Sequence, residues 1–304
     1  MESRCSSQFW GSEPEVVQLD GDFFSTFQFE EGPALGHGLS GVVVEATSLT
    51  NPLAKVAVKK FSILSSDGGV KKSETFMKEV TIMQNFQHPH LVPCVLAARC
   101  PRYLAVAMPL YPLGSLESHL SGLCPALARL YLLQTGSAVA HLHAARIAHG
   151  DIKLDNVFLM HAGHAVLGDF GLSARLSEPS VGLIPASQCG GTPSYMAPEA
   201  RDVSDGDLVD PVKLDVYALG VMLWCMLVKV KASWTYDYLE ETNTDPDIPD
   251  SFRPTLRGVL EPVPAERTSL VSALTSSHIH TARSIRFLSC DCDGPKPGNT
   301  RLAV

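Results

Sequence analysis

Two short stretches of the chain concentrate the side chains that could do chemistry. Residues 149 to 156 read His-Gly-Asp-Ile-Lys-Leu-Asp-Asn, and Asp169 begins an Asp-Phe-Gly sequence further along. Asp151 can accept a proton from a hydroxyl nucleophile, and Lys153 can balance charge on a phosphoryl group in transfer. Asn156 and Asp169 carry hard oxygen ligands, which suit Mg²⁺. These residue types in this order indicate phosphoryl transfer from ATP.

A glycine-rich stretch lies upstream, where the phosphates of a nucleotide could bind. Its pattern is G-x-G-x-x-G-x-V, in which the glycines let backbone N–H groups close over phosphates without a Cβ in the way. The pattern alone is a weak indication of nucleotide binding. The residues concerned are Gly36, His37, Gly38, Leu39, Ser40, Gly41, Val42 and Val43.

A lysine and a glutamate follow at positions where they could form an ion pair. The sequence Val-Ala-Val-Lys ending at Lys59 alternates as a strand does, and we expect Lys59 to point toward the α and β phosphates. Phe76, Val80 and Met83 recur at helical spacing and place Glu79 on the shoulder of that apolar stripe. Glu79 is therefore the candidate partner of Lys59. The alternative is a solvated surface glutamate.

Composition sets limits on the class of protein. The chain has 304 residues and 45% hydrophobic content, which is enough for a sizeable core. The 24 basic and 32 acidic residues give a formal net charge of −8. An acidic chain is a poor match for a phosphate backbone, so no nucleic-acid partner is expected.

Targeting signals and cysteines indicate an intracellular protein, cytoplasmic or nuclear. The first twenty residues carry Glu2, Glu13, Glu15 and Asp20 instead of a basic start and an apolar run, so no signal peptide is predicted. The longest apolar stretch, residues 216 to 228, is too short to span a bilayer, and we interpret it as a buried core helix without membrane insertion. The eight cysteines form no C-x-x-C pair, which fits a reducing compartment.

The histidines do not form a convincing metal site. His141 and His143 are two residues apart, and on a helix such positions face different directions. We therefore expect structural or surface roles for the histidines.

The chain resembles the eukaryotic protein kinases over about residues 28 to 285. Besides the motifs above, the sequence Gly-Thr-Pro-Ser-Tyr-Met-Ala-Pro-Glu at residues 191 to 199 resembles the family's peptide-docking segment. Asp215 begins a sequence similar to that of the central buried helix, where the family's aspartate braces the catalytic loop. Arg267 stands where the family has an arginine that pairs with Glu199. The resemblance implies a two-lobed α+β fold, with ATP and Mg²⁺ as cofactors.

The same resemblance implies the domain organisation. Residues 1 to 27 have no sustained apolar period and are expected to be a loosely packed leader. Residues 28 to 108 should form a small lobe, an antiparallel sheet with one main helix over residues 76 to 86. A hinge at residues 109 to 114 leads to a large, mainly helical lobe at residues 115 to 288. Residues 289 to 304, rich in glycine and proline, are expected to be a flexible tail.

Carried over from the family, an adenine site would lie between Val43 and Ala57 on one side and Phe158 on the other. The alternative for all three is an ordinary core role. Met108 would guard the pocket behind adenine. The backbone of Pro109 and Tyr111 would read the adenine edge, although the position of Pro109 is often acidic in the family.

The resemblance favours Ser/Thr specificity, hence protein substrates with serine or threonine acceptors. Lys153 stands where tyrosine kinases usually have arginine or alanine, and we expect Thr192 to hydrogen-bond near Asp151 and Lys153. The catalytic loop resembles that of the NF-kappa-B-inducing kinase among the MAP kinase kinase kinases. The sequence of residues 166 to 171 in a compact chain also resembles virus-encoded kinases.

Two other classes of function stay open. A pseudokinase scaffold would use the fold for binding alone, although the candidate catalytic residues Lys59, Glu79, Asp151, Asn156 and Asp169 are all present. A small-molecule phosphotransferase of related fold could share the catalytic loop, but it has no use for a peptide-docking segment.

Gly150 replaces the arginine that most regulated kinases carry before the catalytic aspartate. That arginine normally pairs with a phosphate on the activation segment, here residues 169 to 199. We therefore predict activity without activation-segment phosphorylation. The alternative is that Arg175, or a lysine of the pair Lys71 and Lys72, takes over the arginine's role.

Overall fold

The computed structural model describes residues 12–38, 41–63, 68–176, 182–201, 204, 206–276 and 279. The chain divides into two compact units. Unit 1 runs to Tyr111 and also includes Asp169–Gly171, and unit 2 takes the rest of the chain from Pro112. The boundary falls inside the segment predicted as the hinge. The expected flexible tail, residues 289 to 304, lies outside the described residues.

Unit 1 is built on a six-stranded sheet with the order β1-β5-β6-β4-β3-β2. The strands from β2 onward pair antiparallel, whereas β1 pairs parallel with β5. The prediction of an antiparallel sheet therefore holds except at this edge. The strands are β1 (Val17–Gln18), β2 (Phe29–His37), β3 (Val42–Ser48), β4 (Lys55–Ser62), β5 (Leu96–Arg99) and β6 (Tyr103–Pro109).

The main helix of unit 1 packs on one face of this sheet. Helix α2 (Gly68–Asn85) begins eight residues before the predicted start, because its first turns are polar and carry no apolar repeat. Phe76 of α2 packs edge to face against Phe61 of β4, with the ring centroids 5.5 Å apart. Alternation along β4 puts Lys59 on this same face, which we call the inner face.

The opposite, outer face of the sheet is also covered, and this corrects the prediction of a loosely packed leader for residues 12 to 27. Helix α1 (Phe23–Thr26) buries both of its phenylalanines, Phe23 and Phe24, against that face. Small and branched side chains of the strands complete the cluster: Val44, Ala46, Val58, Ala98, Cys100, Ala105 and Ala107. Such short elements gain their stability from tertiary contacts, so they leave no period in the sequence.

Unit 2 is mainly helical, with paired short strands around the predicted catalytic loop. Its helices are α3 (Pro125–Ala144), α4 (Pro211–Val228), α5 (Tyr238–Thr244), α6 (Arg253–Val259) and α7 (Leu270–Thr275). The antiparallel strand pairs are β8 (Val157–His161) with β9 (His164–Leu167), β7 (Ile147–Ala148) with β10 (Ala174–Arg175), and β11 (Ile184–Pro185) with β12 (Leu208–Val209). Among the described residues of unit 2 there are also five 3-10 turns: Leu116–Gly122, Leu154–Asn156, Ala186–Gln188, Pro193–Tyr195 and Pro198–Ala200.

Helix α4 forms the core of unit 2, as predicted for residues 216 to 228. Asp210 caps its N-terminus by accepting hydrogen bonds from two backbone N–H groups, and Pro211 occupies the first helical position. Lys229 ends the helix in the left-handed conformation. The helix is long and apolar enough to cross a membrane by length and composition, but its side chains are buried against the rest of unit 2. It is therefore interpreted as a core helix.

Candidate active site

The glycine-rich stretch of unit 1 forms the turn between β2 and β3. Gly38 and Gly41 exchange backbone hydrogen bonds of 2.9 and 3.3 Å across the turn, while Leu39 and Ser40 lie outside the described residues. Only glycine fits at position 41, because a Cβ there would lie 2.1 Å from the carbonyl oxygen of Lys60. The space beside Gly36 is open, so a phosphate could approach the backbone there. His37 ends β2 opposite Val42.

Lys59 lies at the centre of an ion-pair network in unit 1. Its Nζ donates to Glu79 Oε1 at 2.7 Å, to Glu79 Oε2 at 3.0 Å and to Asp169 Oδ1 at 3.0 Å. The structure therefore brings Lys59 and Glu79 together as predicted, and excludes the alternative of a solvated glutamate, since the Glu79 side chain is 2% exposed. Asp169 adopts a left-handed conformation with φ of 62°, which aspartate tolerates better than most residues.

Burial and charge oppose each other within this network. Burial lowers the pKa of Lys59, but the carboxylates of Glu79 and Asp169 outweigh it and the pKa is raised. Burial raises the pKa of Glu79 to about 7, although Lys59 favours the charged carboxylate. The Glu79 carboxylate therefore becomes protonated as the pH falls through about 7, and its attraction to the Lys59 ammonium weakens.

Three of the six residues predicted at the adenine site belong, with Lys59, to the inner face of the unit 1 sheet. Val43 pairs with Lys59 across β3 and β4, and Ala57 pairs with Met108 across β4 and β6, so the four side chains share one face. Pro109 ends β6, and Tyr111 is the last residue before the unit boundary. Burial raises the pKa of Tyr111. Phe158 is half-buried in β8 of unit 2.

The predicted catalytic loop of unit 2 is a closed hydrogen-bond cluster. Thr192 Oγ1 donates to Asp151 Oδ1 at 2.8 Å, and Lys153 Nζ lies 2.8 Å from both Asp151 Oδ2 and Thr192 Oγ1. Asn156 Nδ2 donates to Asp151 O at 2.8 Å and to Asp151 Oδ2 at 3.1 Å. Thr192 thus lies where the sequence predicted it. Asp151 is held in one orientation by three side chains and could accept a hydroxyl proton there.

The loop is braced by Asp215 from α4, a carboxylate that is almost fully buried. Its Oδ2 accepts from the backbone N–H of His149 at 2.7 Å, and its Oδ1 accepts from that of Gly150 at 2.9 Å. His143 Nε2 also lies 2.8 Å from Asp215 Oδ2. The sequence predicted a structural or surface role for the histidines but not this contact with Asp215. The ring of His149 in turn accepts the backbone N–H of Asp151 at 3.2 Å.

Two predicted Mg²⁺ ligands, one in each unit, have suitable donor atoms. The amide nitrogen of Asn156 is committed to Asp151, so its amide oxygen is the atom that can face a cation. The Asp169 side chain is 41% exposed. Within the described residues, no group of three or more His, Cys, Asp or Glu side chains could hold a metal. Each of the two side chains supplies an oxygen of the kind that Mg²⁺ prefers, and an ion that arrives with ATP would keep phosphate and water ligands and neutralise phosphate charge.

The predicted pair of Glu199 and Arg267 joins the last residue of the predicted peptide-docking segment to the rest of unit 2. Arg267 NH1 and NH2 donate to the two carboxylate oxygens of Glu199 at 2.7 and 3.0 Å. The Arg267 side chain is fully buried, and it also donates to the backbone carbonyls of Lys213, Glu261 and Pro262. This bidentate geometry is the strong form of a carboxylate–guanidinium pair.

Removing the Glu199 carboxylate is expected to destabilise the protein. Glu199→Ala leaves a buried guanidinium without its counterion, and we expect a loss of about 2 kcal/mol, since three carbonyls still accept from Arg267. The midpoint of urea unfolding measures the change. Asp250→Ala is the matched control, because Asp250 pairs with Arg253 but is 100% exposed, and its loss should leave the midpoint unchanged. Equal midpoints for Glu199→Ala and the wild type would contradict the assignment.

Comparison with known proteins agrees with this geometry. The protein kinase domain family matches residues 29–279. CBL-interacting protein kinase 25 of Oryza sativa subsp. japonica is 29% identical over 267 residues, which cover 81% of this chain and 50% of that protein. The serine/threonine-protein kinase shk2 of Schizosaccharomyces pombe is 32% identical over 62% of this chain and 31% of its own length. The human protein kinase C eta type is 34% identical over 66% of this chain and 28% of its own length.

The chain thus spans at most half the length of these curated relatives. The family match covers most of the chain, from β2 to the end of the described residues. It includes the glycine-rich turn, the Lys59 ion pairs, the catalytic loop and the buried α4 helix. The chain is therefore a member of the protein kinase domain family.

Proposed function

We propose that the chain is an ATP-dependent protein kinase that transfers the γ-phosphoryl group of ATP to serine or threonine hydroxyls of protein substrates. Asp151 orients the hydroxyl and accepts its proton, and Lys153 balances the charge on the γ-phosphoryl group. Lys59 holds the α and β phosphates, with Glu79 as its support. Asn156 and Asp169 hold the Mg²⁺ that accompanies ATP.

The observation that carries this proposal is the catalytic-loop cluster. Asp151 is oriented by Thr192, Lys153 and Asn156 at 2.8 to 3.1 Å, an arrangement that serves proton acceptance from a hydroxyl and has no evident use in a protein that only binds. The complete ion-pair network around Lys59 in unit 1 supports the binding of ATP phosphates, which this reaction requires.

Incubation of the purified chain with γ-labelled ATP, Mg²⁺ and a generic protein substrate tests the proposal. Transfer of label to serine or threonine, shown by phosphoamino-acid analysis, would support it. Binding of Mg²⁺·ATP without transfer would instead support the pseudokinase scaffold, and transfer to a small molecule but not to protein would support the phosphotransferase.

We further propose that activity does not depend on phosphorylation of the activation segment. Gly150 has a φ of +80°, and a Cβ there would lie 2.5 Å from the carbonyl oxygen of Leu172. The backbone at the start of the activation segment thus occupies the space that a side chain at position 150 needs. An arginine could not stand there without moving that backbone, so a phosphate would lack its usual partner.

Backbone contacts take the place of a phosphate in holding the activation segment. Strand β10 pairs with β7 beside the catalytic loop, and β11 pairs with β12. Ala186 also donates its backbone N–H to Asp207 O at 2.8 Å. Among the acceptors in the segment, Ser173 is buried and donates to His149 O at 3.1 Å, whereas Ser187 is exposed. Ser177 and Ser180 lie outside the described residues.

Phosphatase treatment tests this second proposal. Enzyme verified as unphosphorylated by mass spectrometry is expected to retain most of its turnover, because the backbone pairing of β10 with β7 and of β11 with β12 holds the segment. Ser187→Ala should likewise be active. A drop of about tenfold or more on phosphatase treatment, reversed by phosphorylation at Ser187, would show that another cation, such as Arg175, replaces the missing arginine.

A further inference from the structure

Residues 12 to 27, which we call the bracket, contact the rest of unit 1 at three places although the proposed chemistry does not use them. The first contact is on the outer face of the sheet, where Phe23 and Phe24 are almost fully buried. The strands present small side chains to these rings, among them Ala46, Ala98 and Ala105. Burial of two phenylalanine side chains contributes several kcal/mol, about 1.5–3 for each.

Polar contacts fasten this end of the bracket to the sheet. The hydroxyl group of Tyr103, in β6, accepts the Phe23 N–H at 3.1 Å and donates to Asp22 Oδ1 at 2.6 Å. Asp22 Oδ2 accepts the Phe24 N–H at 2.9 Å and so caps α1.

The second contact is at the sheet edge, where β1 pairs with β5 and the Leu19 N–H donates to Arg99 O at 2.9 Å.

The third contact is with the C-terminal end of α2. The Gln84 side chain binds the backbone of Glu15 twice: Oε1 accepts the N–H at 2.8 Å, and Nε2 donates to the carbonyl at 3.0 Å. One residue further on, Asn85 Nδ2 donates to Ser12 O at 3.1 Å. The bracket therefore joins the outer face of the sheet to the helix that packs on its inner face.

Helix α2 also carries Glu79, the partner of Lys59. Gln84 lies five residues after Glu79, about 7.5 Å along the axis of the same helix. A helix moves largely as a rigid body, so the position of its C-terminal end constrains the position of Glu79. The bonds from Lys59 to Glu79, at 2.7 and 3.0 Å, tolerate displacement of only a few tenths of an ångström.

We propose that the bracket positions α2 for catalysis, and that Gln84 is the positioning residue through which it keeps Glu79 on Lys59. This deepens the proposed function, on which it rests, by assigning a regulatory role to a segment outside the catalytic motifs. Release of residues 12 to 15 from Gln84 and Asn85 would loosen α2 while the sheet and the catalytic loop stay folded.

Hydrogen exchange in the full chain tests the mechanical part of the proposal. Gln84→Ala removes both bonds to Glu15 and the weaker 3.7 Å contact of Nε2 with Cys94 Sγ, and we expect amides of residues 76 to 83 to exchange about tenfold faster than in the wild type. Gln87→Ala is the matched control, because Gln87 is exposed and follows the end of α2. Unchanged exchange in Gln84→Ala, equal to that of Gln87→Ala, would overturn the proposal whether or not the chain is an active kinase.

A double-mutant cycle with Glu79→Gln tests the link to Lys59. With the dissociation constant of Mg²⁺·ATP as readout, Gln84→Ala alone should weaken binding several-fold, and it should have almost no further effect in the Glu79→Gln background. Additive effects would mean that Gln84 acts only on general stability and would overturn the positioning role. Coupled effects in a chain that does not transfer phosphate would leave the positioning role standing and refute the proposed kinase activity.

Discussion

Replacement of Asp151 by asparagine is expected to lower kcat by about 10²- to 10⁴-fold, because the amide cannot accept the proton of the substrate hydroxyl. The protein should still fold, since an asparagine oxygen can accept the hydrogen bond from Thr192 and the Asn156 amide still donates to the backbone carbonyl of residue 151. The affinity for Mg²⁺·ATP should change little, because Asp151 acts on the nucleophile. Steady-state turnover and a thermal unfolding curve measure the two effects.

Asp247→Asn supplies the matched control for this substitution. It makes the same change of charge at an exposed position of unit 2, so turnover should stay at the wild-type level. If purified Asp151→Asn kept turnover close to the wild type, Asp151 would not be the catalytic base and the reaction proposed for this loop would be wrong.

Replacement of Lys59 by methionine is expected to lower kcat/KM for ATP by at least about a hundredfold, because phosphate positioning and charge neutralisation are both lost. The methionine preserves the length of the side chain, and Glu79 can remain buried as the neutral acid, since burial already raises its pKa to about 7. The fold should therefore survive. Initial rates over a range of ATP concentrations separate the effect on KM from that on kcat.

Lys55→Met is the control in the same strand. Lys55 begins β4, is 45% exposed and pairs with Glu45 at 2.6 Å. Its loss should leave kcat/KM for ATP within about twofold of the wild type, since exposed pairs contribute little. Similar losses in both variants would mean that the Lys59 effect comes from general damage to unit 1 and not from phosphate binding.

Much of the candidate site could be predicted from the sequence because its residues act at short, regular spacing. The alternation of β4 predicted that Lys59 points to the inner face, and the helical repeat around Phe76 predicted that Glu79 is its partner. The structure contains this contact between Lys59 and Glu79. The contacts of Thr192 and Asp215 with the catalytic loop were predicted from the family resemblance, and the structure contains both. The apolar run at residues 216 to 228 predicted a buried helix, and these residues lie in the buried helix α4.

The packing of residues 12 to 27 was not predicted, and the reason lies in the length of their elements. A four-residue helix and a two-residue strand are too short to show a period of 3.6 or 2. One indirect signal was present in β6, which reads Tyr-Leu-Ala-Val-Ala-Met-Pro without polar alternation. A strand that is apolar on both faces needs cover on both faces, although nothing in the strand itself says which segment supplies it.

The sequence by itself thus determined the family, the order of the motifs and the side chains available for phosphoryl transfer, because these depend on residue type and local spacing. Only the tertiary structure decided which groups meet across long stretches of chain. Gly150 shows the difference: the sequence reveals a missing arginine, but only the position of Leu172 O, 2.5 Å from a Cβ at that site, shows that there is no room for one. Packing of the bracket on the sheet and on Gln84 is likewise decided by contacts between residues about 70 to 80 apart in the chain, which no local pattern records.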